Sequence, residues 1–374
     1  MNARYVGVLV VLLVVLGGAA LIYQRQQSAE QAPNAALLGK PLLKGLKAAD
    51  VAALRIGGAK QALTLHGKDG GWTIAERGDF PADFAKVRDF TLKAIGLKVA
   101  QSEPIGEADR ARLLLNEPGK DGAGTLVEFL SADAKPLARL IVGKKYFRSA
   151  AGDEQSRPAD GRFVMRPEEP KTVYVVAEPL AQASARSADW IDRSSFVAEH
   201  VKSLAVRFPD GSGWRIERAA DDANWKLAGA KAGEKLDVAR ANAASYALSV
   251  LELADVAAPG AKDTGLDAPI VVDATTLEGL SYAIRIGRPE GDNYYLSFKP
   301  GGELVKERKP EKGEKAEDRA RRDKDYADRL KRIEARQPRE RLLSGYVLLV
   351  PKSKLEDVLK KRSELLEKKP AKKK

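Results

Sequence analysis

The 374-residue chain has no cysteine, only two histidines and two methionines, and an aromatic fraction of 6%. Without cysteine there are no disulfides, thiolate nucleophiles or Cys-based zinc sites, and no lipid attachment through an N-terminal Cys. The compartment stays open, because an oxidising space tolerates cysteine-free proteins. His66 follows a strand-like segment and His200 precedes one, with no obvious partner at ligand spacing for either. Phosphate-cradling loops are missing too: no Gly-rich loop carries Lys-Ser/Thr, and no Gly-x-Gly-x-x-Gly joins a strand to a helix. Ser194-Ser195 has no nucleophile elbow around it. The acidic pairs Glu168-Glu169 and Asp221-Asp222 sit in turn-like stretches and define no glycosidase pair. The expectation is a chain with no catalytic, cofactor-binding or metal-binding residues, and so not an enzyme.

Charge is missing from one long stretch. From Tyr5 to Tyr23 the chain reads YVGVLVVLLVVLGGAALIY, which as a helix spans roughly 28 Å, about the hydrocarbon thickness of a bilayer. Tyr5 and Tyr23 bracket it as interfacial aromatics do. A cleaved signal has a shorter apolar core followed by a small-x-small site, whereas this run continues into Gln24-Arg25-Gln26-Gln27. An uncleaved anchor is therefore expected at residues 1–23. Lysine and arginine bias at its ends favours a cytoplasmic N-terminus and an exported, periplasmic body on the inner membrane. Residues 24–41, rich in Gln, Ala and Asn, read as a linker.

The rest is long enough for two domains, and its 44% hydrophobic content is ordinary for a folded chain. The net charge of +12 is concentrated late, in the stretch from Lys306 to Arg341 and in the tail ending Lys368-Lys369-Pro370-Ala371-Lys372-Lys373-Lys374. One reading is a contact with anionic lipid or nucleic acid. The plainer reading is a solvated insertion and a basic disordered tail over residues 363–374, with no nucleic acid as partner.

One pattern occurs twice. Trp72 lies in a short alternating segment, followed by Pro81-Ala82-Asp83 and a run whose apolar positions are Phe84, Val87, Phe90, Ala94 and Leu97. Trp225 is followed by Asp237 and by Val238, Ala241, Ala244, Leu248 and Leu251 at the same steps of three and four. That spacing places one apolar stripe along a helix, and Asp83 and Asp237 stand where a carboxylate caps the first turn. Strand-like hairpins precede each run, through Gly57-Gly58 and Asp210-Gly211. Leu115-Asn116-Glu117-Pro118 and Leu266-Asp267-Ala268-Pro269 then give matched Asx-plus-proline turns around Pro118 and Pro269. Strands ending in Gly143 and Gly287 complete the series. The reading is α+β: two tandem repeats, 42–196 and 197–362, each a mainly antiparallel sheet with one helix packed on it. Trp72 and Trp225 are expected as core anchors under that helix. The first half carries an insert from Phe147 to Pro170. The second carries a charged insert, 301–341, which has no apolar stripe and reads either as a solvated helix or as a mobile excursion. Tyr294 and Tyr295 must face opposite sides of a strand, which leaves one of them for partner contact.

The anchor, the Trp strand and helix with its Pro-Ala-Asp lead-in, the Gly265–Pro269 turn and the Ile-Gly strand end resemble domain-of-unknown-function family 4340. The resemblance covers most of the exported body in two copies. It implies a membrane-tethered extracytoplasmic subunit accompanying gliding-motility-type ABC transporter systems, and it supplies no catalytic residues. The resulting expectation is a periplasmic binding or scaffold protein whose partners are the inner membrane and transporter subunits. The rivals are an envelope hydrolase of polysaccharide or peptide, with a site assembled from distant residues, and a binder of anionic lipid or nucleic acid through the basic tail.

Overall fold

A computed structural model describes residues 37–148, 158–310 and 314–367. The expected anchor, most of the linker and the Lys-rich end from residue 368 lie outside the described residues. Among the described residues no helix is long and apolar enough to cross a membrane. The chain divides into two compact units. One runs to Trp190, except for the short segment Glu76–Pro81, which groups with the other unit, Ile191 onward.

The first unit contains β1 (Ala53–Gly57), β2 (Ala62–Lys68), β3 (Gly71–Ile74), α1 (Phe84–Ile95), β5 (Val99–Pro104) and α2 (Glu107–Arg112); β4 (Phe80–Pro81), which precedes α1, belongs to the segment grouped with the other unit. β6 (Thr125–Leu130), β7 (Pro136–Tyr146), β8 (Gly161–Met165) and β9 (Thr172–Val176) follow. The sheet order is β4-β3-β2-β1-β6-β7-β8-β9-β5. The second unit contains β10 (Val201–Arg207), β11 (Gly213–Glu217), β12 (Lys226–Leu227), α3 (Val238–Ala247), β13 (Asp255–Val256), β14 (Ile270–Thr276) and β15 (Leu280–Glu290). It continues with β16 (Asn293–Gly302), α4 (Ala316–Leu343) and β17 (Leu348–Pro351). Its sheet runs β12-β11-β10-β14-β15-β16-β17-β13. With β4 set aside, the two sheets follow the same strand order.

Alternation explains the layering. Leu54 and Ile56, Leu63 and Leu65, Val127 and Phe129 are buried, while their neighbours along each strand are more open. One face of the sheet is therefore core. In the second unit Leu204, Val206, Tyr282, Ile284 and Ile286 do the same. Asp83 accepts from the backbone amides of Ala85 and Lys86, and Asp237 from those of Ala239 and Arg240. Each such cap contributes about 1 kcal/mol to its helix.

Several sequence readings are corrected. Phe84 and Val238 do not join the buried stripe; they are 48% and 43% exposed. Each is the first helical residue after its cap, where the chain is still approaching the sheet. The helices end at Ile95 and Ala247, short of Leu97 and Leu251, which are nevertheless buried just beyond them. Trp72 is only half-buried, while Trp225 is 5% exposed. The aromatic packed edge-on against Phe90 of α1 is Trp190, fully buried, with ring centroids 5.4 Å apart. The region read as one insert after Phe147 contains β8. The charged insert 301–341 begins inside β16 and holds α4, a 28-residue helix with Leu330, Ile333 and Leu343 buried. The second unit therefore carries two helices of size, not one.

Candidate binding site

The matched proline turns are built around a glycine. A Cβ on Gly143 would lie 2.5 Å from the Leu113 carbonyl oxygen, and one on Gly287 would lie 2.1 Å from that of Thr264. Without side chains there, the chain crosses directly over the strand, and Lys144 N donates to Leu113 O as Arg288 N does to Thr264 O, both at 2.9 Å. The next residues, Leu114 and Gly265, both have positive φ, 56° and 69°. Pro118 and Pro269 lie half-buried at the ends of these turns.

What the crossing segment covers differs between the units. In the first, Ile141 and Met165 face each other across β7 and β8, and with Leu115 and Val173 they form a buried cluster. Leu126, paired with Ile141, packs against it, so this small core lies on the face opposite Val127 and Phe129. Beside it opens a cavity of about 510 Å³, lined by α2, the 115–121 turn and Pro167 and Pro170. Asn116 fixes the turn: its Nδ2 donates to Asp121 O at 2.7 Å, and its backbone bonds to Gly122 and Gly124. Arg110 also lines the cavity, with Glu107 Oε1 at 4.0 Å and a buried Nε that has no acceptor.

The second unit gathers polar groups elsewhere. Arg218 donates through Nε to Val201 O at 2.8 Å, pairs with the Asp221 carboxylate at 2.6 Å, and stacks 4.6 Å over Trp225. Trp225 Nε1 donates to Asn242 Oδ1 on α3 at 2.8 Å. The Asp221 carboxylate also takes His200 Nδ1, so His200 does have a partner, and it holds positive φ, 49°. A groove of about 360 Å³ lies beside this cluster, with Ser245, Tyr246 and Ser249 on its α3 side. The sequence hid the pair because the two residues sit 21 positions apart on either side of a hairpin. Among the described residues no cluster of His, Asp or Glu is arranged to hold a metal ion.

A third polar group serves the fold. Glu340 of α4 is 2% exposed, accepts from Tyr282 Oη at 2.9 Å and from Val197 N at 3.2 Å, and pairs with Arg336 at 3.2 Å. Burial raises its pKa above the ordinary carboxylate value, against the pull of those partners. Desolvation and Glu340 together raise the Tyr282 hydroxyl well above the usual phenol range. Of the adjacent tyrosines, Tyr295 is buried at 9% exposure and Tyr294 is half-buried, with Lys352 Nζ 6.0 Å from its ring.

The model of the domain of unknown function DUF4340 matches residues 72–269, more than half of the chain. The match runs from the Trp72 strand to the Pro269 turn. The protein belongs to that family. Neither curated proteins nor solved structures gave a match.

Proposed function

We propose that this chain is a membrane-anchored, extracytoplasmic binding or scaffold subunit, N-terminus inside and body in the periplasm, working with an ABC-type transporter and carrying out no catalysis. The uncharged Tyr5–Tyr23 run and the family's association support the location and the company. The observation that carries the binding role is a repeated surface. After the capping Asp, α1 exposes Phe84 and, eight residues on, Leu92 at 52%; α3 exposes Val238 and, eight residues on, Tyr246 at 65%. Two units that diverge in their inserts still present large apolar groups at the same two steps of the same helix. An apolar pair on an otherwise polar helix face is what a partner protein covers. The test is affinity capture of the full chain from membranes. Transporter subunits are expected with the wild type and are expected to be lost with Phe84→Asp combined with Tyr246→Asp, while thermal stability is kept. Capture that ignores both substitutions overturns the proposed surface.

The hydrolase reading is favoured by one observation, the His200–Asp221 pair beside a groove. A carboxylate on Nδ1 fixes the imidazole tautomer and leaves Nε2 as a proton acceptor. An unbiased hydrolysis screen of the purified chain, with His200→Gln as control, decides it: turnover abolished by that change would replace the scaffold reading.

A further inference from the structure

We infer that the cavity of the first unit is a preformed pocket for an apolar monocarboxylate: a single carboxylate carried next to an aliphatic body of roughly leucine size.

The two units make the case by comparison. Aligned on Gly143 and Gly287, which lie within β7 and β15 and not at their ends as the sequence pattern suggested, the Ile141–Met165 pair of the first unit corresponds to Arg285–Ser297 of the second. Arg285 is exposed, so the second unit leaves that face polar and solvated, whereas Ile141 is fully buried and Met165 is 3% exposed. The connection that crosses this face is longer in the first unit, residues 105–124 against 257–269, and only the first forms a helix, α2, from Glu107-Ala108-Asp109-Arg110-Ala111-Arg112. The second runs through Ala258-Pro259-Gly260-Ala261 without one. One copy has thus acquired an apolar floor, a helical wall and about 510 Å³ of space. That volume falls within the range of small-molecule sites, whose linings are apolar with a few fixed polar groups.

The walls do not need a ligand to form. Asn116 ties the 116–124 loop to itself, and a Cβ on Gly122 would meet the Ala111 backbone at 2.4 Å, so loop and helix are in direct contact. Pro167 and Pro170 restrict the remaining side.

The charge pattern selects the headgroup. Two cations line the cavity: Lys120, 69% exposed and 3.9 Å from Glu117, and Arg110, whose side chain is 23% exposed and whose ion-pair partner is Glu107 at 4.0 Å. The Arg110 guanidinium is under-satisfied, and a carboxylate is the planar acceptor that matches it. The acids that line the same cavity, Glu107, Glu117 and Asp121, oppose a phosphate or a dicarboxylate. They accept an ammonium beside the carboxylate, so a free amino acid and the C-terminus of a peptide share the required chemistry.

Calorimetric titration of the full chain in detergent separates the sources. The probes are acetyl-Ala-Ala-Leu with a free carboxylate, its C-terminal amide, and leucine. The acid peptide, leucine or both are expected to bind, the peptide alone marking a chain end as the ligand. The amide is expected to bind at least about tenfold more weakly. Arg110→Gln, on an exposed short helix, is expected to weaken binding at least about tenfold with an unchanged melting temperature. Met165→Trp is expected to block the cavity, and circular dichroism reports whether that variant still folds. No heat with either carboxylate at about 10 mM, well above the millimolar affinity of a weak site, overturns the inference. So does equal binding of acid and amide, or binding that Arg110→Gln leaves unchanged. The pocket is independent of the scaffold reading: loss of ligand binding with transporter capture retained separates the two.

Discussion

Leu114 and Gly265 occupy one step of one turn, both left-handed, yet the cost of that backbone is carried differently. At Gly265 a Cβ would sit 2.6 Å from Arg288 N, so Gly265→Leu adds steric conflict to an unfavourable φ and is expected to cost more than about 2 kcal/mol. At Leu114 the side chain is already accommodated. Leu114→Gly exchanges about 1 kcal/mol of left-handed strain for a similar gain in unfolded-chain entropy, and is expected to change stability by less than about 1 kcal/mol. Urea unfolding of both variants checks the asymmetry. Glu340 gives a pH prediction. Its folded pKa is raised, so the folded state holds the proton more tightly than the unfolded chain. The stability linked to this proton is fully present below the unfolded value of about 4.3 and is lost as pH rises through the raised folded value. Wild type minus Glu340→Gln, measured by denaturation at pH 5 and pH 7, is expected to shift against the wild type at the higher pH. At this scale the capping aspartates and the turn prolines were legible, because each acts within three residues of itself. The His200–Asp221 pair and the Arg110 cavity were not, since they depend on which loops the sheet brings together.

Among the elements, α4 shows where sequence periodicity misleads. Its buried apolar residues, Leu330, Ile333 and Leu343, are separated by three and then ten positions, with Glu340 filling part of the gap. No regular stripe is visible in the sequence, and the charges dominate. Those charges are what attach the helix. Arg329, at its midpoint, pairs with Glu278 at 2.8 Å, and further on Arg336 pairs with Glu199 at 3.0 Å and Arg339 with Asp192 at 2.9 Å. Its first turns engage the chain just before them, through Arg308 to Asp323 at 2.9 Å and Tyr326 Oη to Val305 O at 2.6 Å. Backbone amides of 318–328 are therefore expected to exchange with deuterium faster than those of 334–343. Uniform protection along the helix would contradict this division. The strands show the complementary case. Alternation in β1, β2, β6, β10 and β15 was plain in the sequence, because one face is core. β8, Gly-Arg-Phe-Val-Met, follows a Gly-, Asp- and Arg-rich stretch and was hidden by it.

At the level of the whole chain, two sheets with a common strand order and eight matched strands are most simply the product of one ancestral unit copied in tandem. The anchored, exported disposition proposed for this pair has a direct check: reporter fusions after Lys374 should be active in the periplasm and silent in the cytoplasm. Mass spectrometry of the membrane-extracted chain should find its N-terminus upstream of Tyr5. Cytoplasmic activity would instead favour the basic tail as a lipid or nucleic-acid contact. The apolar run carries only the expectation of where the body lies, while the repeated landmarks divide it as the two sheets do. The partner is left unspecified, and Phe84 and Val238 of the proposed surface read as core in the periodicity although they are exposed.

The extra chain enters the two copies at different hairpins, between β7 and β8 in one and between β16 and β17 in the other. Because neighbouring strands are antiparallel, these hairpins lie at opposite poles of the ladder. The scaffold thus accepts grafted segments at either pole without rerouting its strands, so later members of the lineage could acquire new appendages one hairpin at a time while the ancestral pleated framework stayed intact.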